Sequence, residues 1–109
     1  MKATIYSLLF VVALLFSQFA SAETVWIDVR SVVENKIDNI EGDIRISHAD
    51  IVDEAYKAFP DKNTEIKLYC RSGIRAGKAL SALTSAGYTN VENVGSINDA
   101  RNIRVIPIK

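Results

Sequence analysis

The chain has 109 residues, of which 13 are lysine or arginine and 13 are aspartate or glutamate, so its formal net charge is zero at pH 7. This balance lacks the excess of basic residues that is typical of proteins binding nucleic acid or anionic membrane surfaces. The length fits one small domain with a hydrophobic core of modest size.

The N-terminal segment has the pattern of an export signal. Lys2 supplies a positive charge, residues 5–16 are apolar, and the small residues 20–22 form a cleavage pattern. The apolar stretch is short for a bilayer span, so a retained anchor is the weaker alternative. We therefore predict a cleaved signal peptide at residues 1–22 and a soluble periplasmic domain at residues 23–109, without a stable membrane anchor.

Short strands alternate with helices along the rest of the sequence. β-branched, aromatic or alternating apolar residues mark the strands, and apolar residues at helical spacing mark the helices. This alternation predicts a mainly parallel sheet that is covered by helices on both faces. The strand predictions cover residues 24–29, 43–46, 66–69 and 90–94, and the helices are predicted to begin near Ser31, Ser47 or His48, Ile74 and Ser96.

Several local signals predict where these elements end. Ser31 and Glu34 have the spacing of a capping box at the start of the first helix. Gly87 is placed to end the third helix, and Gly95 is interpreted as a turn after the last strand. Because Pro107 cannot donate a ladder hydrogen bond, we expect the C-terminal residues to form an irregular tail or an edge segment.

The only cysteine, Cys70, follows the strand predicted at residues 66–69 and precedes the third helix. Ligands of open α/β sheets bind at the carboxyl ends of the strands, where the N–H groups of helix N-termini are free. Gly73 can ease a tight turn, so that backbone N–H groups point to one centre and favour an anion. The same environment favours the thiolate form of Cys70, and Arg71 and Arg75 add positive charge.

An exported chain with one cysteine cannot form an internal disulfide. Cys70 would then either form an intermolecular bridge or remain a reactive thiol. A buried, inert cysteine is the structural alternative, but the arginines and the glycine after Cys70 favour a nucleophile. His48 is not required as a base, because the loop itself stabilises the thiolate.

Three segments of the sequence resemble the rhodanese family. They are residues 26–30 (Trp-Ile-Asp-Val-Arg), 70–75 (Cys-Arg-Ser-Gly-Ile-Arg) and 86–91 (Ala-Gly-Tyr-Thr-Asn-Val), and the resemblance covers most of residues 23–95. The small size and the export signal are similar to those of exported single-domain members. Residues 39–47 depart from the usual family pattern His-Ile-x-Gly-Ala-x-Asn-Ile-Pro, so no substrate contact is carried over from them.

The resemblance implies an α/β rhodanese-like fold with about five strands and a thiosulfate sulfurtransferase activity. In that chemistry a thiolate takes the outer sulfur of thiosulfate as a persulfide and passes it to cyanide or a thiol. No metal or organic cofactor is implied, and a monomer is expected. Position matching assigns the catalytic role to Cys70 and substrate binding to Arg71, Ser72, Gly73, Ile74 and Arg75.

Two other functions are compatible with a cysteine in such a loop. A sulfane-sulfur carrier that docks to another exported protein would share the Cys70 persulfide but turn over small molecules poorly. A cysteine phosphatase or arsenate reductase ranks lower, because four residues separate Cys70 from Arg75, one fewer than in the related phosphatases. The partners expected for the first function are thiosulfate, a small thiophilic acceptor and an exported acceptor protein.

Overall fold

A computed structural model describes residues 23–108, so the predicted signal peptide at residues 1–22 lies outside the described part of the chain. None of the helices described there is long and apolar enough to cross a bilayer. The elements in chain order are β1 (Val25–Asp28), α1 (Val32–Ile37), β2 (Ile44–Arg45), α2 (Ile51–Ala58), β3 (Ile66–Cys70), α3 (Ile74–Ser85), β4 (Val91–Ser96) and α4 (Ile97–Arg104).

The four strands form one sheet in the order β2-β1-β3-β4, and every neighbouring pair is parallel. Parallel pairing follows from the helical crossovers between successive strands. The α/β prediction and the four strands predicted from residue patterns are confirmed. Within the described residues no fifth strand forms, because the chain leaves α4 at Val105 and continues irregularly through Pro107.

Successive side chains of β3 point to opposite faces of the sheet and belong to two hydrophobic layers. Ile66, Leu68 and Cys70 are fully buried in a larger cluster that includes residues of α2 and α3. Tyr69 faces the opposite side of the sheet, where it packs with Ile97 of α4. The predicted helical cover on both faces is therefore confirmed, and Cys70 lies on the face that carries α3.

The local signals at helix ends are confirmed in part. Ser31 and Glu34 form the predicted capping box, and Gly87 follows α3 in the left-handed conformation with φ +99°. The cap predicted for α2 at Ser47 or His48 is wrong, because Ser47 opens a turn and the helix begins only after Asp50.

Candidate active site

The fold places Cys70 at the last position of β3, and α3 begins at Ile74. Gly73 is the residue before the first helical position and has φ +92°, a left-handed conformation that glycine adopts at low cost. The short loop directs the N-terminus of α3 at the sulfur. Because the first N–H groups of a helix have no partner within the helix, they are available to an anion at this position.

Backbone N–H groups of the loop and of the start of α3 are directed at the sulfur of Cys70, as the sequence predicts. The Gly73 N–H donates to Sγ over 2.9 Å. Burial raises the thiol pKa, but the N–H groups of Ala76, Ser72, Gly73 and Arg75 outweigh it, so the pKa of Cys70 lies below its ordinary value. Ala76 was not among the predicted site residues, since it lies inside α3 rather than in the loop.

The Cys70 side chain is also fully buried, as the structural alternative requires. It packs in the larger hydrophobic cluster, yet the loop amides are directed at its sulfur. Burial and thiolate stabilisation therefore coexist at this residue. Because Sγ is covered, a dissolved reagent reaches it only when the covering residues move.

The guanidinium of Arg75 is held in a bidentate ion pair with Glu34 of α1. Nη1 and Nη2 donate to Oε1 and Oε2 over 2.6 and 2.9 Å. The Arg75 hydrogen bonds are the main cause that lowers the pKa of Glu34 to about 2. Arg75 thus contributes its backbone N–H to the sulfur site, while its side chain joins α3 to α1.

The other predicted site residues lie on the surface of the loop. Arg71, Ser72 and Ile74 are exposed, and the Arg71 guanidinium has no hydrogen-bond or ion-pair partner among the described residues. A cavity of about 400 Å³ lies beside it, lined by Arg30, Glu34, Ile37, Asp38, Arg71 and Ile97. Arg71 is therefore the cation of the loop that remains available to a ligand.

A buried ion pair supports the neighbouring loop after β1. Asp28 is fully buried, and the Arg30 side chain donates to both of its carboxylate oxygens over 2.9–3.2 Å. Burial lowers the pKa of Arg30, but the hydrogen bonds and charge of Asp28 outweigh it and raise the pKa. Asn35 of α1 also donates to Asp28, so this pair ties α1 to the sheet beside the cavity.

Asn93 of β4 contacts the loop from the other side. Its Nδ2 donates to the Gly73 carbonyl and its Oδ1 accepts the Gly95 N–H, each over 2.9 Å. The register of β4 shifts here, since Asn93 pairs with Leu68 and Gly95 with Tyr69. The turn predicted at Gly95 is therefore a bulge within the strand, and the sequence interpretation missed Asn93 as a residue of the site.

Within residues 23–108, no group of three or more histidine, cysteine, aspartate or glutamate side chains is arranged to hold a metal ion. The nucleophile that the described site offers is the sulfur of Cys70, whose pKa is lowered by backbone amides although burial raises it. The same amides would stabilise a negative charge on this sulfur, and the exposed Arg71 follows Cys70 in the chain.

Comparison with known proteins gives consistent matches to one family. A model of the rhodanese-like domain matches residues 13–102. Thiosulfate sulfurtransferase PspE of Escherichia coli strain K12 is 37% identical over 91 residues, which cover 84% of this chain and 88% of that protein.

Solved structures agree with the sequence comparison. A rhodanese with anions from E. coli has a TM-score of 0.64 and 37% identity, and the match covers 71% of this chain and 91% of that chain. The human single-domain sulfurtransferase TSTD1 has a TM-score of 0.62 and 26% identity, with 81% and 89% covered. The family model and the 37% identity with PspE together show that this chain belongs to the rhodanese family.

Proposed function

We propose that this protein is a thiosulfate sulfurtransferase that works through a persulfide on Cys70. The observation that carries the proposal is the group of loop and helix N–H donors at the Cys70 sulfur, with the Gly73 N–H at 2.9 Å. Preorganised dipoles of this kind stabilise a negative charge on sulfur without reorganising during the reaction. The names of two relatives, PspE and TSTD1, describe sulfurtransferases.

The reaction has two steps. The Cys70 thiolate attacks the outer sulfur of thiosulfate, a new S–S bond forms, and sulfite leaves with the electron pair of the bond that breaks. The persulfide anion then lies among the loop amides. A nucleophilic acceptor attacks its outer sulfur and regenerates the thiolate, which yields thiocyanate when the acceptor is cyanide.

The backbone of the loop stabilises the sulfur of Cys70, and the side chain of Arg71 binds the sulfur donor, thiosulfate. The N–H groups of Ser72, Gly73 and Arg75, together with that of Ala76, stabilise the thiolate and the persulfide. The exposed guanidinium of Arg71 attracts the sulfonate end of thiosulfate, since guanidinium groups recognise oxyanions with several donors. Donor access requires a local movement, because Cys70 is fully buried.

The side chains of Arg75 and Ile74 have indirect roles. The charge of Arg75 acts on the sulfur from its ion pair with Glu34, which fixes its position. The exposed Ile74 side chain lies at the rim of the loop and gives an acceptor an apolar contact. We assign the acceptor to the class of small thiophilic molecules or an exported thiol protein.

We further propose that the domain acts in the periplasm. Cleavage after residue 22 would release the domain into the periplasm. The domain is expected to act as a monomer, with Cys70 and the Gly73 N–H that contacts it in the same loop.

The burial of Cys70 favours a second candidate function, a sulfur carrier that is discharged only by a docked partner protein. Such a carrier would take up one sulfur atom from thiosulfate but pass it slowly to cyanide. The two functions are separated by comparing the uptake of one sulfur atom from thiosulfate with the rate of repeated thiocyanate formation.

Thiocyanate formation from thiosulfate and cyanide tests the proposal. Cys70→Ser preserves the size of the side chain and removes the nucleophilic sulfur, so we expect a folded protein without turnover. Circular dichroism and urea unfolding of the variant verify its fold. Turnover retained by the folded variant would exclude a Cys70 persulfide.

A further inference from the structure

The Asn93 amide links three parts of the chain that meet at the sulfur site. Asn93 donates to the Gly73 carbonyl, and the Gly77 N–H of the first turn of α3 donates to the same oxygen over 2.9 Å. The Asn93 oxygen accepts the Gly95 N–H of the bulge. The loop, the helix and the bulged strand therefore share one hydrogen-bonded network around Gly73.

Close packing fixes this arrangement. A Cβ atom added at Gly73 would lie 3.4 Å from the Gly95 Cα, and one added at Gly77 would lie 3.6 Å from the Asn93 Nδ2. A side chain at either position would make ordinary van der Waals contact with β4, so β4 lies directly against the start of α3. Because Gly73 also donates its N–H to the Cys70 sulfur, its two peptide groups are held at the sulfur on one side and at Asn93 on the other.

We propose that Asn93 is a positioning residue for sulfur transfer, which keeps the Gly73 N–H aimed at the Cys70 sulfur by holding the Gly73 carbonyl. The inference deepens the proposed function and rests on it, because it assigns Asn93 a role in the same reaction. Asn93 does not contact the reacting atoms. It acts through the orientation of a residue that does, and it reaches that residue across 20 positions of sequence.

Removal of the amide leaves the Gly73 carbonyl with only the hydrogen bond from the Gly77 N–H, so Gly73 is held less firmly. The Gly73 N–H then spends less time on the sulfur, and both the thiolate and the persulfide lose part of their stabilisation. One neutral hydrogen bond corresponds to about half to one pKa unit, so we expect Asn93→Ala to raise the thiol pKa by that amount. The same loss predicts a roughly 3- to 10-fold lower kcat with a nearly unchanged KM for thiosulfate.

Thiolate ultraviolet absorbance as a function of pH measures the thiol pKa, with Cys70→Ser protein subtracted as the background. Asn90→Ala is the matched control, because Asn90 directly precedes β4 at the end away from Gly95, and its side chain donates a hydrogen bond of 3.5 Å to the Asn63 carbonyl, not to the loop. The control should keep the wild-type thiol pKa and kcat. An Asn93→Ala protein that is less stable but keeps both values would overturn the proposal, since it would make Asn93 purely structural.

Asn93→Asp covers the case in which Asn93→Ala does not fold. It keeps the side-chain size and an acceptor oxygen for the Gly95 N–H, but it removes the donor to Gly73. Salt screens a partly buried carboxylate only weakly, so Asn93→Ser, which adds no charge, is titrated beside Asn93→Asp. A thiol pKa that is raised in Asn93→Ser supports the proposal, and an unchanged one in that variant overturns it.

The titration separates this inference from the proposed function, because it requires no sulfur donor. If the wild-type protein does not turn over thiosulfate but the Asn93 variants have a raised thiol pKa, the positioning role of Asn93 is supported and the proposed reaction is refuted.

Discussion

The ion pair between Glu34 and Arg75 can be tested cleanly, because Glu34→Gln removes its charge but keeps the oxygen that accepts the Ser31 N–H in the capping box. Both side chains are about 30% exposed, at 27% for Glu34 and 30% for Arg75. Exposed pairs contribute up to about 1 kcal/mol and disruption of buried pairs costs about 3–5 kcal/mol, so we expect a loss of about 1–2 kcal/mol at pH 7.

The loss should depend on pH because folding lowers the pKa of Glu34 from its ordinary value of 4.5 to about 2, first through the hydrogen bonds from Arg75. A carboxyl group with a lowered folded-state pKa contributes stability that is present above its unfolded pKa and is lost as the pH falls through the folded one. The free-energy difference between wild type and Glu34→Gln should therefore shrink to roughly less than half between pH 7 and pH 3.

Urea unfolding at several pH values measures this difference, and the loss at pH 7 should lower Tm by about 5–15 °C for a domain of this size. Glu54→Gln is the control, because Glu54 forms an exposed pair with Lys57 at 3.6 Å and should cost less than about 0.5 kcal/mol. A Glu34→Gln difference that is the same at pH 7 and pH 3 would refute the reasoning.

Two further substitutions test the donor site and the bulge. Arg71→Ala should raise the KM for thiosulfate about 3- to 10-fold in steady-state assays, with kcat nearly unchanged. The control Lys57→Ala removes a remote charge and should leave the KM unaltered. Equal KM values for wild type and Arg71→Ala would exclude Arg71 from the recognition of thiosulfate. Gly95→Ala forces a side chain into φ +104° and against the Asp99 carboxylate, so urea unfolding should show a loss of about 2–4 kcal/mol. At Gly87 the φ is also positive, but no atom lies within 4 Å of an added Cβ. Gly87→Ala should therefore lower the free energy of unfolding by only about 1 kcal/mol. Equal losses of stability at Gly95 and Gly87 would contradict the close packing described at the bulge.

Local signals in the sequence were sufficient for most of the fold. The Ser31 capping box depends on residues three positions apart, and the strands follow from short apolar patterns, so each can be recognised without tertiary information. The loop from Cys70 to Gly73 is likewise local, and its glycine and its position before α3 predicted that amides point to the sulfur, as the Gly73 N–H does.

The contacts that complete the site are not local. Glu34 lies 41 positions from Arg75, and Asn93 lies 20 positions from Gly73, so no periodicity or motif connects them. Glu34 was recognised only as a capping residue, because its second role depends on how α1 packs beside α3. The burial of Cys70 depends in the same way on packing across the sheet.

Intact mass spectrometry of the purified protein tests the central claim most directly. After exposure to thiosulfate, the mass should rise by one sulfur atom, and after cyanide it should return to its starting value. Cys70→Ser protein treated in the same way should show no change. Wild-type protein that gains no sulfur, or a Cys70→Ser variant that gains as much as wild type, would contradict sulfur transfer through Cys70.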